Sequence, residues 1–531
     1  MNALPADESL AELREARPQQ RSPTAAPLEV IKNLFNRLHA EGVRYCHWKS
    51  NEHLAASMMG VTDVDILVER KAAQRLARIL TDTTSFKRFV VKAGRGYPGI
   101  EDYVGFDPHT GKLTHLHVHY QLTLGEKFLK GHRLPWEEVV LGTRVLDDGY
   151  GIYITDPHIE LLILIARATI KLRLRDFLLA GGGRRYFGGS MLRELRWLAA
   201  RVRQDRLVEL ATPLVGSQAA RLLGSMINHP APSIRQLRAF RRSATPSLST
   251  YRMYSAVGAM RRMATREWTW VWWRIKNWFL LAPTKSTRTP PQGGLTIAFV
   301  GADGAGKSTL SREIAAWLSR EIAVVSTYAG SGKGAASGPR RSLQLLAAIF
   351  GRSPAARPKP EVARARTHPD PTGLRIRDTS GPRLLGRLLW VLALARERRR
   401  WAKRVQRARS LGMIVLSDRL PQSQFAGLND GPRLGQWLEH PSRLRRIVAD
   451  RERAAFRMAE LIPPDVVVRL HVPVDVATRR KPETALDQLR RKVDIVAQLH
   501  FPPTTRVVEV NAAQPLERVL LEVKQAIWES I

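Results

Sequence analysis

A chain of 531 residues with 44% hydrophobic and 25% charged residues is typical of a globular protein of two to four domains, and this composition excludes a wholly disordered chain. The single cysteine, Cys46, excludes an internal disulfide and a metal site built from cysteines. The net charge of +37 favours an anionic partner, such as nucleic acid, an anionic membrane surface or a phosphorylated small molecule.

Two further features reduce the number of candidate binding partners and cellular compartments. The arginine-rich stretches contain few aromatic residues, which argues against nucleic acid because single-stranded bases stack on aromatic side chains. No apolar run reaches the roughly 20 residues of a membrane span, and no basic-then-apolar leader stands at the start of the sequence. Together with the low cysteine content, these features predict a reducing, cytoplasmic compartment.

The chain is predicted to begin with a disordered tail and a helix. Residues 1–26 are rich in Pro, Ala, Arg and Glu and have no periodicity. The next stretch, 28–40, has apolar residues at helical spacing on one face: Val30, Ile31, Leu34, Phe35 and Leu38.

Two acidic residues follow on a predicted strand at 60–68. Because side chains on a strand repeat every two residues, Asp63 and Asp65 lie on the same face. Such a pair is typical of a divalent-metal clamp for phosphoryl or nucleotidyl transfer, and also of a solvated strand end. The predicted strand at 113–120 has three alternating histidines, which form either a metal-binding row or a row of surface residues: His115, His117 and His119.

These features together resemble the small nucleotidyltransferase superfamily over residues 27–150. The resemblance implies an α+β domain in which Lys49 or Ser50 contacts phosphate, and in which Asp63 and Asp65 bind a metal ion. Active members usually have a third acidic residue on a later strand, where this sequence has histidines. Two readings therefore stay open: a nucleotidyltransferase, or a domain that binds a nucleotide or glycan without turning it over.

Residues 151–282 are predicted to be helical. Asp156-Pro157 is a good helix start, and basic residues interrupt the apolar stretch that follows, which is typical of a core-facing helix. The segment 260–281 combines arginines and lysines with five tryptophans: Trp268, Trp270, Trp272, Trp273 and Trp278. It predicts either a helix on an anionic membrane surface or a helix packed inside the protein. Residues 283–294, with three prolines and two glycines, are a predicted linker.

A phosphate loop is predicted after an apolar, β-branched run that begins at residue 295. It reads Gly301-Ala-Asp303-Gly304-Ala-Gly306-Lys307-Ser308-Thr309, and an apolar pattern at helical spacing follows. Its glycines let backbone N–H groups surround a polyphosphate, with Lys307 on the β- and γ-phosphates and Ser308 on Mg²⁺. The predicted nucleotide-binding residues of the loop are Gly301, Gly304, Gly306, Lys307, Ser308 and Thr309.

Strands and helices alternate through the rest of residues 295–531. The predicted strands are at 322–327, 413–416, 466–472 and 507–510, and a long basic helix is predicted at 384–409. This alternation predicts an α/β fold whose parallel sheet is covered by helices on both faces. The Pro- and Arg-rich stretch 352–383 is a predicted mobile loop or insertion.

Four motifs at the ends of these strands resemble thymidylate kinase-like nucleoside monophosphate kinases, over residues 292–531. They are the phosphate loop, Asp418-Arg419 with Ser423 and Ala426 after it, Pro464-Asp465, and Asn511-Ala-Ala-Gln-Pro515. The resemblance implies that Asp303 contacts a sugar hydroxyl of the acceptor and that Asp418 holds Mg²⁺ or its water. It also places Asn511 near the adenine of ATP.

Basic residues complete the site that the resemblance implies. Arg419 would bind the acceptor or the transferred phosphate, and Arg398 the acceptor phosphate. A lid over the phosphates would consist of Arg479, Arg480 and Lys481. Cations on a closing lid suit phosphoryl transfer, which depends on positioning and charge neutralisation. For each arginine alone, a solvated helix face is the alternative.

The sequence departs from the thymidylate kinases where the acceptor would bind. The turn after the second strand is 329–334, Ala-Gly-Ser-Gly-Lys-Gly, in place of Arg-Glu-Pro-Gly-Gly, and the candidates for base stacking are Phe425 and Trp390. We therefore expect an acceptor that is a nucleoside monophosphate or a sugar-type molecule.

The favoured function is an ATP- and Mg²⁺-dependent phosphotransferase that is cytoplasmic or peripheral to the membrane. The kinase resemblance implies a homodimer. One alternative is a nucleotidyltransferase in the front half with a regulatory phosphate-loop domain. The other is a nucleotide-gated membrane or nucleic-acid scaffold.

Overall fold

The computed structural model describes residues 26–82, 85–91, 96–126, 129–172, 189–229, 232–280, 288–328, 382–426, 431–482 and 484–531. The predicted tail at 1–25, the turn at 329–334, the predicted loop up to residue 381 and the linker up to residue 287 lie outside these ranges. The chain divides into two compact units. The second unit consists of Arg261–Ile531 with two short earlier segments, Arg88–Gly96 and Pro108–Leu113, and the first unit is the rest of the chain before residue 261.

The described residues before residue 155 include nine strands. They are β1 (Tyr45–His47), β2 (Val64–Val68), β3 (Phe86–Val91), β4 (Ile100–Phe106), β5 (Leu113–His119), β6 (Leu122–Glu126), β7 (Leu129–Leu134), β8 (Val145–Asp147) and β9 (Ile152–Ile154). Within the first unit the sheet runs in the order β4-β5-β2-β1-β9-β8. The β2–β5 and β1–β9 pairs are parallel and the β1–β2 and β8–β9 pairs antiparallel, so this sheet is mixed.

Helices pack against this mixed sheet, and further helices follow it in the chain. The helices up to residue 260 are Glu29–Ala40, Leu54–Met58, Ala73–Asp82, Glu137–Gly142, Pro157–Lys171, Gly189–Ala199, Gln204–Val215, Ser217–Met226, Ile234–Thr250 and the start of Ala256–Leu280. The predicted apolar face of the first helix is confirmed, since all five of its predicted residues are buried. The Asp156 side chain caps helix Pro157–Lys171 by accepting from the His158 N–H, as the Asp-Pro pair predicts.

The second unit contains a parallel five-stranded sheet. Its strands are β11 (Thr296–Gly301), β12 (Val324–Thr327), β13 (Ile414–Ser417), β14 (Val466–His471) and β15 (Arg506–Asn511), after a two-residue strand β10 (Arg288–Thr289). The order is β12-β13-β11-β14-β15, and every neighbouring pair is parallel. In a parallel sheet the carboxyl ends of all strands lie at the same edge. The phosphate loop, Asp418, the predicted lid and Asn511 lie at or after the carboxyl ends of β11, β13, β14 and β15, respectively, so they lie at that edge.

Helices cover this parallel sheet on both faces. They are Lys307–Leu318, Pro382–Ser410, Arg443–Glu460, Val474–Arg480, Leu486–Gln498 and Leu516–Ser530. All six residues of the central strand β11 are buried, which requires cover on both sides. The prediction of an α/β half with a parallel sheet is therefore confirmed.

Candidate functional site

The predicted phosphate loop forms a left-handed turn between β11 and helix Lys307–Leu318. Gly304 and Gly306 have φ angles of +86° and +85°, a conformation that favours glycine. Gly306 immediately precedes the helix, whose first N–H groups are not used within it and face the loop. A helix N-terminus behind a glycine turn is a site for a phosphate group.

Gly304 also lies against the helix that carries the predicted lid. A Cβ atom at position 304 would stand 2.9 Å from the carbonyl oxygen of Ala477, in helix Val474–Arg480. Only a residue without a side chain permits this approach. The loop and the arginine-bearing helix are thus in direct backbone contact.

Lys307 lies along the loop that it is predicted to serve. Its Nζ donates to the carbonyl oxygens of Gly301 and Ala302, both at 2.7 Å. These contacts hold the ammonium group against the backbone of the loop.

Ser308 and Asp418 bring two side-chain oxygen atoms close together. The Ser308 Oγ donates to Asp418 Oδ2 at 2.8 Å, across the gap between β11 and its neighbour β13. Asp418 Oδ1 is buried and has no hydrogen-bond partner among the described residues. Because Mg²⁺ prefers hydroxyl and carboxylate oxygens, this pair fits the magnesium ion that the sequence predicts.

Asp303 forms an ion pair that the sequence analysis did not identify. The Lys492 Nζ, from helix Leu486–Gln498, donates to Asp303 Oδ2, and both side chains are largely buried. Burial of the Asp303 carboxyl opposes ionisation, but the hydrogen bond and charge of Lys492, with Lys307 and Lys481, lower its pKa to about 2. Asp303 is therefore a fixed anion beside the loop, and Lys492 adds a cation to the site.

Two of the predicted arginines, Arg419 and Arg398, differ in burial and in their contacts. Arg419 follows Asp418 directly, and its guanidinium lies 5.8 Å from the centre of the Tyr328 ring. By contrast, Arg398 is buried, 3.8 Å from Glu452 Oε1 and against the Phe456 ring. Arg398 thus joins the two long helices of the unit in a buried ion pair.

The two lid arginines have different surroundings. Arg479 is 74% exposed at its side chain and pairs with Asp475 one helical turn earlier. Arg480 donates to the carbonyl oxygen of Ala512 at 2.8 Å, which ties the lid helix to the turn after β15. Asn511 ends β15, and its side chain accepts from the Ala513 N–H. The carboxyl end of the sheet thus carries the predicted lid beside the predicted adenine position.

The candidate stacking residues lie in packed surroundings. Trp390 is buried in helix Pro382–Ser410. Phe425 is partly buried against the apolar cluster that includes Ala298 and Val300 of β11. Trp390 is therefore a core residue, whereas Phe425 stays partly exposed.

A second group of titratable residues lies in the first unit, at β2 and β5. Asp65 Oδ1 accepts from Lys49 Nζ at 2.9 Å and lies 3.0 Å from His117 Nδ1. His119 Nε2 is 3.7 Å from the same oxygen and 3.2 Å from His117 Nδ1. The parallel register that places Asp65 opposite His117 creates this group, which we call the Asp65 cluster: Lys49, Asp65, His117 and His119.

Asp63 belongs to a separate group. Its side chain is 50% exposed and contacts His115 Nδ1 at 3.0 Å, while His115 Nε2 lies 2.8 Å from Asp102 Oδ1. The two predicted acidic ligands therefore have different histidine partners. Ser50, next to Lys49, has a φ of +58°, the left-handed region, and its hydroxyl donates to Glu194 at 3.4 Å.

The tryptophan-rich segment is a helix with two different faces, Ala256–Leu280. Trp268 and Trp272 are 67% and 56% exposed. Trp273 packs against the core cluster around Trp401, and Trp270 lies under the guanidinium of Arg274. Among the described helices, none is both long and apolar enough to cross a bilayer.

About half of this chain is similar to known proteins. It is 26% identical over 257 residues to the uncharacterized ATP-binding protein YghR of Escherichia coli K12, which covers 47% of this chain and 94% of that protein. It is 25% identical over 242 residues to the uncharacterized ATP-binding protein YghS of the same strain, which covers 44% of this chain and 93% of that protein.

Among solved structures, the chain is similar to a thymidylate kinase from Ehrlichia chaffeensis. The two are 18% identical, the match covers 44% of this chain and 98% of that kinase, and the TM-score is 0.23. No protein-family profile matches the chain. The chain is thus similar, over about half of its length, to proteins described as ATP-binding.

Proposed function

We propose that this protein is an ATP- and Mg²⁺-dependent phosphotransferase that acts on a small acceptor, a nucleoside monophosphate or a sugar-type molecule. The observation that carries the proposal is the Ser308–Asp418 hydrogen bond at the mouth of a phosphate loop. It joins two oxygen atoms suited to Mg²⁺ at the first turn of the helix that begins at Lys307. The similarity to two ATP-binding proteins over about half of the chain supports the nucleotide.

Each side chain of the site has a role in this reaction. The loop N–H groups and Lys307 bind the β- and γ-phosphates, while Ser308 and Asp418 hold the metal ion, which neutralises phosphate charge when bound. Arg419 and the lid arginines, Arg479 and Arg480, bind the transferred phosphate. Since phosphoryl transfer depends mainly on positioning and charge, these groups suffice without a nucleophilic side chain.

Asp303 and Lys492 are suited to bind the acceptor. A buried carboxylate that stays ionised accepts a hydrogen bond from a sugar hydroxyl, and the neighbouring ammonium attracts an acceptor phosphate. This pairing favours an acceptor that carries both groups.

The test uses the full chain with a panel of nucleoside monophosphates and sugars, and measures Mg²⁺-dependent ADP formation. We expect Lys307→Ala to lower turnover by at least about 100-fold, since it removes a cation that stabilises developing charge. Lys403→Ala, at an exposed position on helix Pro382–Ser410, is the matched control and should keep full turnover. Equal turnover in wild type and Lys307→Ala would refute the proposal.

The Asp65 cluster favours a second candidate, nucleotidyl transfer in the first unit. There Lys49 would contact a phosphate and Asp65 a metal ion. Pyrophosphate release, measured beside ADP formation, distinguishes the two candidates, because nucleotidyl transfer from a nucleoside triphosphate releases pyrophosphate and phosphoryl transfer from ATP releases ADP. Loss of nucleotidyl transfer in Asp65→Asn, with full activity in Lys307→Ala, would favour this second function over the first.

We also propose that the exposed face of helix Ala256–Leu280 binds an anionic membrane surface. Trp268 and Trp272 are exposed on that face, and Arg261 and Arg262 precede them as exposed cations. Indole rings at the headgroup level and cations near anionic lipid both stabilise such a contact.

A further inference from the structure

We propose that Asp65, His117 and His119 form a binding site for a divalent transition-metal ion, distinct from the magnesium position at Ser308 and Asp418. Three donor atoms converge there: Asp65 Oδ1, His117 Nδ1 and His119 Nε2. The site lies wholly within the first unit, and it stands whether or not the second unit is a phosphotransferase.

The spacing of the three atoms fits one ion. They are 3.0, 3.2 and 3.7 Å apart. Ligands held 2.0–2.1 Å from a tetrahedral zinc ion lie about 3.3 Å from one another. The three atoms therefore match one face of a coordination tetrahedron.

The chemistry of the atoms points to the same ligand. A proton can bridge only one pair of these atoms at a time, whereas a cation at their centre would contact all three. Two imidazole nitrogens and one carboxylate oxygen suit zinc, cobalt or iron better than magnesium, which prefers oxygen ligands throughout.

The protonation states also suit metal binding. Burial lowers the pKa of both His117 and His119, so that both imidazoles are neutral at pH 7. Burial opposes ionisation of Asp65, but Lys49 and the two histidines hold its pKa well below the usual value. The site therefore offers two neutral imidazoles and one carboxylate at pH 7.

Neighbouring groups support the site and set its affinity. His119 is wholly buried, and the indole of Trp48 packs edge-on against it. This contact fixes the orientation of the imidazole ring. Lys49 Nζ stands 2.9 Å from the proposed ligand oxygen, so its charge competes with a metal ion. Removing that charge should strengthen metal binding, which a purely structural ion pair would not show.

The experiment uses the full chain, stripped of metal with a chelator and titrated with Co²⁺ or Zn²⁺. We expect one ion per chain by elemental analysis, and visible absorption bands of tetrahedral Co²⁺. His117→Asn should weaken binding by more than about 100-fold, because even outer-shell partners change metal affinity by 10–100-fold. His117 is partly exposed, and far-UV circular dichroism will establish that the variant is folded.

Two further variants make the result decisive. His115→Asn, two residues earlier on β5 and outside the three ligands, should bind Co²⁺ as wild type does. Lys49→Met should bind at least about tenfold more tightly, since a like charge near the ion is removed. The proposal is overturned by the absence of stoichiometric metal, by equal loss in His115→Asn and His117→Asn, or by unchanged affinity in Lys49→Met.

Discussion

At the scale of single residues, Lys492 shows how a distant side chain completes the phosphate-loop site. It is separated from Asp303 by 189 positions in the sequence, yet the two side chains form a largely buried ion pair. Because the pair stabilises the ionised carboxylate, its contribution to the free energy of unfolding depends on pH.

The sign of this dependence follows from the pKa of Asp303, which falls from 3.8 to about 2 on folding. A lowered pKa contributes stability that is fully present above pH 3.8 and is lost as the pH falls through 2. After allowance for solvent screening, the contribution at pH 7 is about 1–2 kcal/mol. Lys492→Met should therefore destabilise the protein at pH 7, and about half of that difference should be lost at pH 3.

Urea unfolding at both pH values, followed by tryptophan fluorescence, measures this difference. Lys492→Arg retains the charge and is the matched control, with most of the stability and its pH dependence preserved. A destabilisation in Lys492→Met that is equal at pH 7 and pH 3 would contradict the assignment.

The sequence predicted some site residues because local motifs identify them. Ser308 lies in the loop motif and Asp418 follows a predicted strand, and the structure brings the two together. Lys492 and Glu452 have no such signal, since their partners, Asp303 and Arg398, are specified only by the packing of helices against the sheet.

At the scale of elements, the hydrophobic pattern predicted whether a segment is a helix or a strand, but it did not predict which elements lie next to one another. The predicted strand at 466–472 is β14, Val466–His471, and the predicted helix at 384–409 is Pro382–Ser410. The strand order β12-β13-β11-β14-β15 has no local signature, because it depends on which crossover each helix makes. The register that sets Asp65 opposite His117 is likewise a tertiary property.

The contact between the loop and helix Val474–Arg480 predicts an asymmetry between two glycines. Alanine at position 304 or 306 must adopt a left-handed φ, which costs about 1–2 kcal/mol. Only at position 304 would the new Cβ also meet a backbone carbonyl, that of Ala477; nothing lies within 4 Å of a Cβ at position 306. Gly304→Ala should therefore destabilise the second unit more than Gly306→Ala.

Thermal unfolding of the two variants, read against wild type, is the appropriate comparison. Stability is the suitable readout, since both glycines also line the phosphate position. If Gly306→Ala proves equally or more destabilising, the close approach to Ala477 is not a determinant of stability.

The proposed membrane face of helix Ala256–Leu280 predicts a difference between tryptophans on the same helix. Trp268 and Trp272 are exposed, and membrane binding would transfer both indoles from water into the lipid interface. Replacing both with alanine should therefore weaken vesicle binding about tenfold or more. Trp270→Ala, beneath Arg274 on another face, should bind nearly as wild type does.

The measurement is co-sedimentation with vesicles of phosphatidylcholine and phosphatidylserine, at low and at high salt. A net charge of +37 should make the binding fall with ionic strength. Unchanged binding in the Trp268/Trp272 double variant would exclude this helix face as the contact.

At the scale of the whole molecule, each compact unit contains its own group of charged and polar side chains. The second unit has the phosphate loop with Ser308 and Asp418, and the first has the Asp65 cluster. The sequence gives no local indication that segments Arg88–Gly96 and Pro108–Leu113 belong with the second unit. Such grouping depends on contacts between distant parts of the chain, so experiments on either group are best made with the full protein.

The left-handed backbone of Ser50 lowers the stability of one turn in the first unit. Among the described residues, Ser50 is the one residue other than glycine that has a positive φ. This conformation costs about 1–2 kcal/mol of stability relative to a right-handed one. Glycine would adopt the turn freely but would leave Glu194 without the serine hydroxyl. Serine at this position, one residue after Lys49 of the Asp65 cluster, therefore lowers the stability of the turn and supplies a hydroxyl to Glu194.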